Sequence, residues 1–281
     1  MVKVTNHTSL PEPVYLAAIG DYDAGDSDLT ITQLIDSPRV VALTRKYNLQ
    51  LEEDVSDMGA RLIGNALHAA FEKYKESEVS EQRYYLNILG WTISGKPDGY
   101  LNGTLYDYKT MSVSEWERGI KDEREKQLNC YAELLRQNGV EVNALNLVVV
   151  FKDYKRGRVR FHSWYPEHEI MQIPVEMWDR QRAYDYLHER VALHQAALRE
   201  VPLCTDEERW YNGGKWAVMK GGNKRATKLH ESMEEAYAHA EELGEEYHVE
   251  AREGYYNRCE AFCVLAKNRL CQQWLDETEG A

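Results

Sequence analysis

The stretch Leu145 to Phe151, Leu-Asn-Leu-Val-Val-Val-Phe, limits what this chain can become more than any other. It is rich in β-branched residues and much too short to span a bilayer, so it suits a buried strand. Such a strand needs partners on its edges and cover on its faces, and the neighbouring sequence supplies both. Upstream, Tyr84 to Ile93 and the two segments carrying Asp98 and Asp107 read as three strands rich in Tyr, Ile, Leu and Thr. Ser114-Glu115-Trp116-Glu117 has the form of a capping box and Asn138-Gly139 supplies a stop, which predicts one long helix from Glu115 to Gln137. Downstream, a turn at Lys155-Arg156-Gly157 leads to a strand from Arg158 to Trp164. Pro174 suits the first residue of a helix reaching Arg199.

Before the strands, Asp57 to Lys75 carries Met58, Leu62, Ile63, Ala66, Leu67, Ala70, Phe71 and Tyr74 on one side at the helical period. His68 lies off the centre of that stripe, either exposed or turned into a cleft. A shorter helix begins near Thr32-Gln33-Leu34-Ile35, and Pro38 interrupts it. Residues 1–28, with Asp21, Asp23, Asp26 and Asp28, show no periodicity and read as a loosely attached arm. Helix, three strands, helix, two strands, helix is the order of a mixed α+β sheet flanked by helices over residues 29–203.

The 281 residues can bury a full core, and 43% hydrophobic with 29% charged residues is the balance of a soluble globular protein. The start, Met1 to His7, lacks an apolar signal core, so a cytoplasmic protein without membrane contact is expected. A net charge of −13 argues against nonspecific coating of nucleic acid, yet leaves room for an enzyme whose site needs carboxylates. The five cysteines are an odd count and suggest no disulfide framework. Cys259, Cys263 and Cys271 crowd together in a way that reads as metal ligation, while Cys130 reads as a packed core thiol.

Chemistry concentrates between Gly95-Lys96-Pro97-Asp98-Gly99 and Asp107-Tyr108-Lys109, around a hairpin connection marked by Gly99, Asn102 and Gly103. Asp107 and Lys109 leave the same face of a strand, and Asp98 approaches from the neighbouring one. Two acids converging on a divalent metal beside a lysine suit attack by water on a phosphodiester. The plain alternative is turn chemistry, which also favours Asp and Gly.

After Cys204 the composition changes. Lys215 to Lys220, Arg225 to His230, Met233 to Leu243 and Tyr247 to Arg252 predict a strand, strand, helix, strand module inserted over residues 204–258, ahead of a cysteine-rich tail over 259–281. Lys215, Lys220, Lys224, Arg225 and Lys228 fall in a stretch without acids, which is either a solvated hairpin or a contact for a DNA backbone.

Gly64-x-x-x-His68-x-x-x-Glu72, Gly95-x-Pro97-Asp98-Gly99, Asp107-Tyr108-Lys109 and Gln127-x-x-x-Tyr131 resemble, in order and spacing, the RecB-like branch of the PD-(D/E)XK nuclease superfamily. Thr32 to Arg39 and Arg258 to Cys263 look like its phage and prophage members, relatives of the AddB and CRISPR-associated spacer-acquisition nucleases. The resemblance implies a restriction-endonuclease-like fold and a metal-dependent DNA exonuclease, phage- or prophage-encoded in a bacterial host, for recombination, repair or DNA-end processing. His68, Asp98, Asp107 and the Tyr108 backbone carbonyl would hold Mg2+ or Mn2+, and Lys109 would serve the attacking water. Gln127 and Tyr131 would line the site or merely pack, and Glu72 would be an ordinary surface acid. Cys204, Cys259, Cys263 and Cys271 would hold a 4Fe-4S cluster, with Zn2+ as the alternative. Candidate partners are DNA, a single-strand annealing or other recombination protein, and a second copy of the chain. Rival readings are a non-catalytic DNA-binding or assembly protein on the same fold, and a structure-specific endonuclease.

Overall fold

The computed structural model describes residues 2–20, 25–74 and 77–279. The chain is mixed α+β and divides into two compact units, Met1–Pro202 and Leu203–Ala281. The first begins with β1 (Lys3–Thr5), α1 (Glu12–Ile19), β2 (Leu29–Thr30), α2 (Ile31–Ile35), α3 (Pro38–Lys46), β3 (Glu52–Asp54) and α4 (Gly59–Glu72). β1 pairs in parallel with β3, and Ala18 of α1 is buried in a small cluster with Val55 and Met58, flanked by Leu62. The loosely attached arm expected over residues 1–28 is therefore tied down, because ladder bonds and apolar burial hold its two elements. Asp21 and Asp23 lie outside the described residues. Pro38 occupies the first turn of α3, where its missing N–H costs nothing, so it starts a helix where an interruption was expected.

α4 corrects a second expectation. Met58, just before it, is buried, but Ile63 and Tyr74 of the apolar stripe are exposed and no residue of the helix itself is fully buried. The helix leans on its neighbours by one edge of that stripe only.

Next come β4 (Tyr84–Ile88) and β5 (Trp91–Gly95), an antiparallel hairpin with β2 parallel on the free edge of β5. The single strand expected from 84 to 93 folds back because Leu89 and Gly90 adopt φ of 50° and 80°, the two positive values of a tight hairpin turn. The main sheet follows: β6 (Gly99–Leu101), β7 (Thr104–Met111), α5 (Val113–Glu117), α6 (Asp122–Gln137), β8 (Ala144–Phe151), β9 (Ile170–Val175) and α7 (Arg180–Ala197). Its order is β6-β7-β8-β9, with β7 and β8 parallel and the outer pairs antiparallel. A parallel pair needs a crossover, and α6 provides it.

The helix expected from 115 to 137 breaks at Gly119, whose φ is 92°, and Ser112 rather than Ser114 caps α5 by accepting from Glu115 N at 3.1 Å. Every residue of α6 from Gln127 to Leu135 is buried, so this part of the helix is enclosed on all sides. In β8, Leu145, Leu147, Val149 and Phe151 are buried and the residues between them are half-buried, so the strand is fully covered on one face only. The strand expected from Arg158 to Trp164 is absent. Its place beside β8 is taken by β9, where Pro174 sits opposite Asn146, and α7 starts six residues later behind an Asp179 cap. Proline is tolerated there because β9 is an edge strand.

The second unit contains β10 (Tyr211–Asn212), β11 (Lys215–Lys220), β12 (Lys228–His230), α8 (Met233–Leu243), β13 (Tyr247–Arg252), β14 (Tyr255–Tyr256), α9 (Val264–Lys267) and α10 (Gln272–Glu279). β11 is the centre of an antiparallel sheet, covered by Ala236 and Ala240 of α8 against Val218. The module and the cysteine-rich tail, expected as separate segments, share this unit: β10 pairs with β14, and Arg209 binds Glu277 of α10 through two nitrogens. No helix among the described residues is long and apolar enough to cross a membrane.

His194 ties α7 to α2. Its ring is 3% exposed and its Nε2 donates to Leu34 O at 3.0 Å. Burial, only partly offset by that carbonyl, holds its pKa down to about 4. Because the folded value lies below the unfolded one, near 6.5, the stability it confers is complete above about pH 6.5 and is lost as pH falls through 4. Urea unfolding followed between pH 7 and pH 4 is expected to show this loss, with a flatter profile in His194→Gln.

Candidate active site

Asn102 and Gly103, with φ of 50° and 82°, form a two-residue turn that sets Leu101 opposite Thr104, Tyr100 opposite Leu105 and Gly99 opposite Tyr106. Asp98, in the bend just before β6, and Asp107 of β7 are the residues immediately beyond that ladder. The turn thus brings together two carboxylates that lie nine residues apart. Asp107 is 3% exposed, and its Oδ1 lies 2.5 Å from Lys109 Nζ, in keeping with two side chains on one face of β7. Its Oδ2 is buried without a hydrogen-bond partner. Asp98 Oδ2 accepts from Tyr108 N at 2.9 Å, and its Oδ1 lies 3.5 Å from His68 Nδ1 on α4. In a strand the N–H and C=O of one residue leave the same edge, so the Tyr108 carbonyl also faces the Asp98 side.

The electrostatics follow from this crowding. Burial, and then the charge of Asp107, push the Asp98 pKa up to about 8, against the opposing pull of Lys109 and the Tyr108 amide. Burial and Lys109 lower the His68 pKa, which favours the neutral imidazole that metal coordination requires. Two carboxyls that feel each other's charge, one with an unpaired buried oxygen, suit a hard divalent cation, and a donor set of carboxylates, a carbonyl and an imidazole fits Mg2+ or Mn2+.

Gln127 and Tyr131 are both buried on α6. Tyr131 is bonded to the side chains of Gln127 and Thr32, and its pKa is raised by burial and by the charges of Asp98 and Asp107, so its phenol stays a neutral donor. α6 comes this near to β5 because residue 95 is glycine: a Cβ there would lie 2.6 Å from Tyr131 Cε1 and 2.7 Å from Leu134 Cδ2. Gly99 serves similarly, since a Cβ would lie 2.4 Å from the Tyr108 hydroxyl. Cys130 is buried in the core, and Glu72 is exposed.

Sequence reasoning missed Glu81. Ligand atoms of His68, Glu81 and Asp98 all lie within 4.8 Å of one another, and a Glu81 oxygen is 2.5 Å from Lys96 Nζ. Glu81 N donates to Pro97 O at 2.8 Å, which pins the loop against the Asp98 bend. The residue precedes β4 in irregular sequence, and no spacing rule links it to the motifs. Only the fold brings it in.

In the second unit, Cys259, Cys263 and Cys271 are buried, Cys204 is half-buried, and none forms a disulfide. Gln273 clamps the Cys204 backbone, accepting from its N at 2.8 Å and donating to its O at 3.0 Å, two residues beyond Cys271. Cys259 Sγ accepts from Arg209 Nε at 3.5 Å. Burial raises the Cys263 pKa, while the amides of Ala266 and Leu265 bond its sulfur and oppose the rise. The stretch of basic residues does not form an unopposed positive face: Lys215 pairs with Glu231 and Lys220 with Glu246, leaving Lys224, Arg225 and Lys228 exposed around the turn before β12.

Residues 208–252 match a family model described as "Uncharacterized protein conserved in bacteria (DUF2188)". This match spans β10 to β13 and stops short of all four cysteines of the unit. No curated protein matches the chain. Among solved structures, SSO0001 is similar at 18% identity and a TM-score of 0.42, over 61% of this chain and 79% of that one. A protein from Eubacterium rectale described as a "Putative exonuclease" is similar at 16% identity and a TM-score of 0.31, over 52% of this chain and 62% of that one.

A raised carboxyl pKa contributes stability that is complete below the unfolded value, near 3.9, and is lost as pH rises through the folded value of about 8. With chelator present, Asp98→Asn is therefore expected to melt at a higher temperature than the wild type, and by a wider margin at pH 9 than at pH 6. Adding Mn2+ is expected to raise the melting temperature of the wild type and leave that of the variant in place.

Proposed function

We propose that the first unit is a metal-dependent deoxyribonuclease that hydrolyses phosphodiester bonds, acting as an exonuclease in recombination, repair or DNA-end processing of the phage type. The observation that carries this reading is the Asp98, Asp107 and Lys109 constellation, with one Asp107 oxygen buried and unpaired. Asp98, Asp107, His68 and the Tyr108 carbonyl would hold Mg2+ or Mn2+. When bound, the cation would polarise the phosphate and lower the pKa of a water. Lys109, already paired to Asp107, is placed to orient the attacking water and to offset charge developing on the phosphate. Tyr131, bonded to Gln127 and within the field of both carboxyls, would line the site and help fix the position of Lys109.

The test is a nuclease assay on end-labelled single- and double-stranded DNA with Mg2+ or Mn2+. Lys109→Ala is expected to lower the rate by about a hundredfold or more, and chelation to abolish it. Activity that survives both would sink the mechanism.

For the second unit we propose a 4Fe-4S cluster on Cys204, Cys259, Cys263 and Cys271, with a structural role. Three of the donors are buried thiols and Cys204 is half-buried, and two of them receive N–H···S bonds of the kind that tune such clusters. Tetrahedral zinc would draw its sulfurs to about 3.8 Å from one another. Anaerobically purified protein is expected to be brown and to contain iron, and Cys263→Ser to lose both colour and thermal stability. A colourless wild type carrying one zinc would refute the cluster.

A further inference from the structure

The second face of the main sheet is incompletely covered, and it opens beside Asp98. A cavity of about 350 Å³ lies there, walled by Phe71 of α4, by Tyr74 in the turn after it and by Tyr106 and Tyr108 of β7, with Gln172 of β9 and Asp98 among its polar lining. This volume falls within the usual range for a ligand pocket. Tyr108, Val148 and Gln172 stand in register across β7, β8 and β9, so the floor is a strip of sheet. Phe71 packs edge-on against Tyr108, with ring centroids 4.7 Å apart, which fixes one wall. Tyr74 is 81% exposed, so its ring is accessible from solvent at the mouth of the cavity.

We infer that this cavity is a subsite for one unpaired nucleobase of the DNA strand being cut. The inference rests on the nuclease reading above and adds to it the place where a base is held. Flat aromatic walls offer stacking to any base, and the exposed amide of Gln172 offers both a donor and an acceptor to a base edge. Asp98 belongs both to this lining and to the carboxylate pair, so a base in the cavity lies within one nucleotide of a phosphate at the metal site. A base held within a duplex cannot enter. The cavity would therefore admit a single strand or a frayed end and would act as a positioning device for the phosphate next to it.

The experiment uses the full chain carrying Lys109→Ala to suppress turnover, and a short single-stranded DNA with 2-aminopurine at either terminus. With the aromatic residues intact, 2-aminopurine fluorescence is expected to be quenched on binding at one of the two ends. Adding Tyr74→Ala or Tyr106→Ala is expected to remove the quenching and weaken binding about tenfold, whereas Tyr106→Phe retains both. Replacing the quenched nucleotide by an abasic one is expected to cost the protein with intact tyrosines the same factor and the Tyr106→Ala protein nothing further. The subsite is refuted if the wild type cleaves DNA but the alanine substitutions change neither quenching nor affinity, or if the abasic penalty persists in them. A wild type that neither binds nor cleaves DNA overturns the nuclease reading itself, a different result.

Discussion

Two carboxyl groups held beside each other in the interior, with one lysine to answer them, are the constraint around which the first unit is arranged. Asp98 and Asp107 repel each other at a depth where water screens little, and the structure answers with one cation, Lys109, and one amide, that of Tyr108. That supply leaves one oxygen of Asp107 unpaired. An arrangement like this lowers stability unless something positive joins it, and proteins tend to keep such strain where chemistry is done.

Everything nearby serves that pair. α6 is buried from Gln127 to Leu135, and the absence of a side chain at Gly95 lets Tyr131 pack against β5, near enough to feel the charges of both carboxyls. α4, by contrast, carries no fully buried residue of its own, yet it delivers His68 to the rim of the same site. A rigid helix on one side of the sheet and a lightly attached one on the other is a division suited to a site that must be both precise and open.

Much of this could be read from the residues, and the failures share one cause. The Asn-Gly turn, the same-face spacing of Asp107 and Lys109, the apolar strand β8 and the limits of α8 and β13 are local signals, and the structure shows each of them. The readings that failed needed information from across the fold. Pro174 looked like a helix start because proline suits that place, but the edge of the sheet suits it equally, and pairing with β8 decided the matter. Gly119 breaks the α5 to α6 helix with a backbone angle that a capping motif cannot reveal. Glu81 reaches the site only through the chain path that carries its amide to Pro97. The pairing of Lys215 with Glu231 and of Lys220 with Glu246 is likewise set by the fold, since both acids lie beyond the basic stretch in sequence.

The two-residue turn at Asn102-Gly103 has a consequence for how relatives of this chain can vary. Side chains alternate across a strand, so one residue added or lost in that turn would shift the register by one and send either Asp98 or Asp107 to the opposite face. Most surface connections absorb such changes at little cost. This one cannot, so its length should stay fixed through divergence while its residues change, and a count of positions between the two acids would find the site where identity has faded.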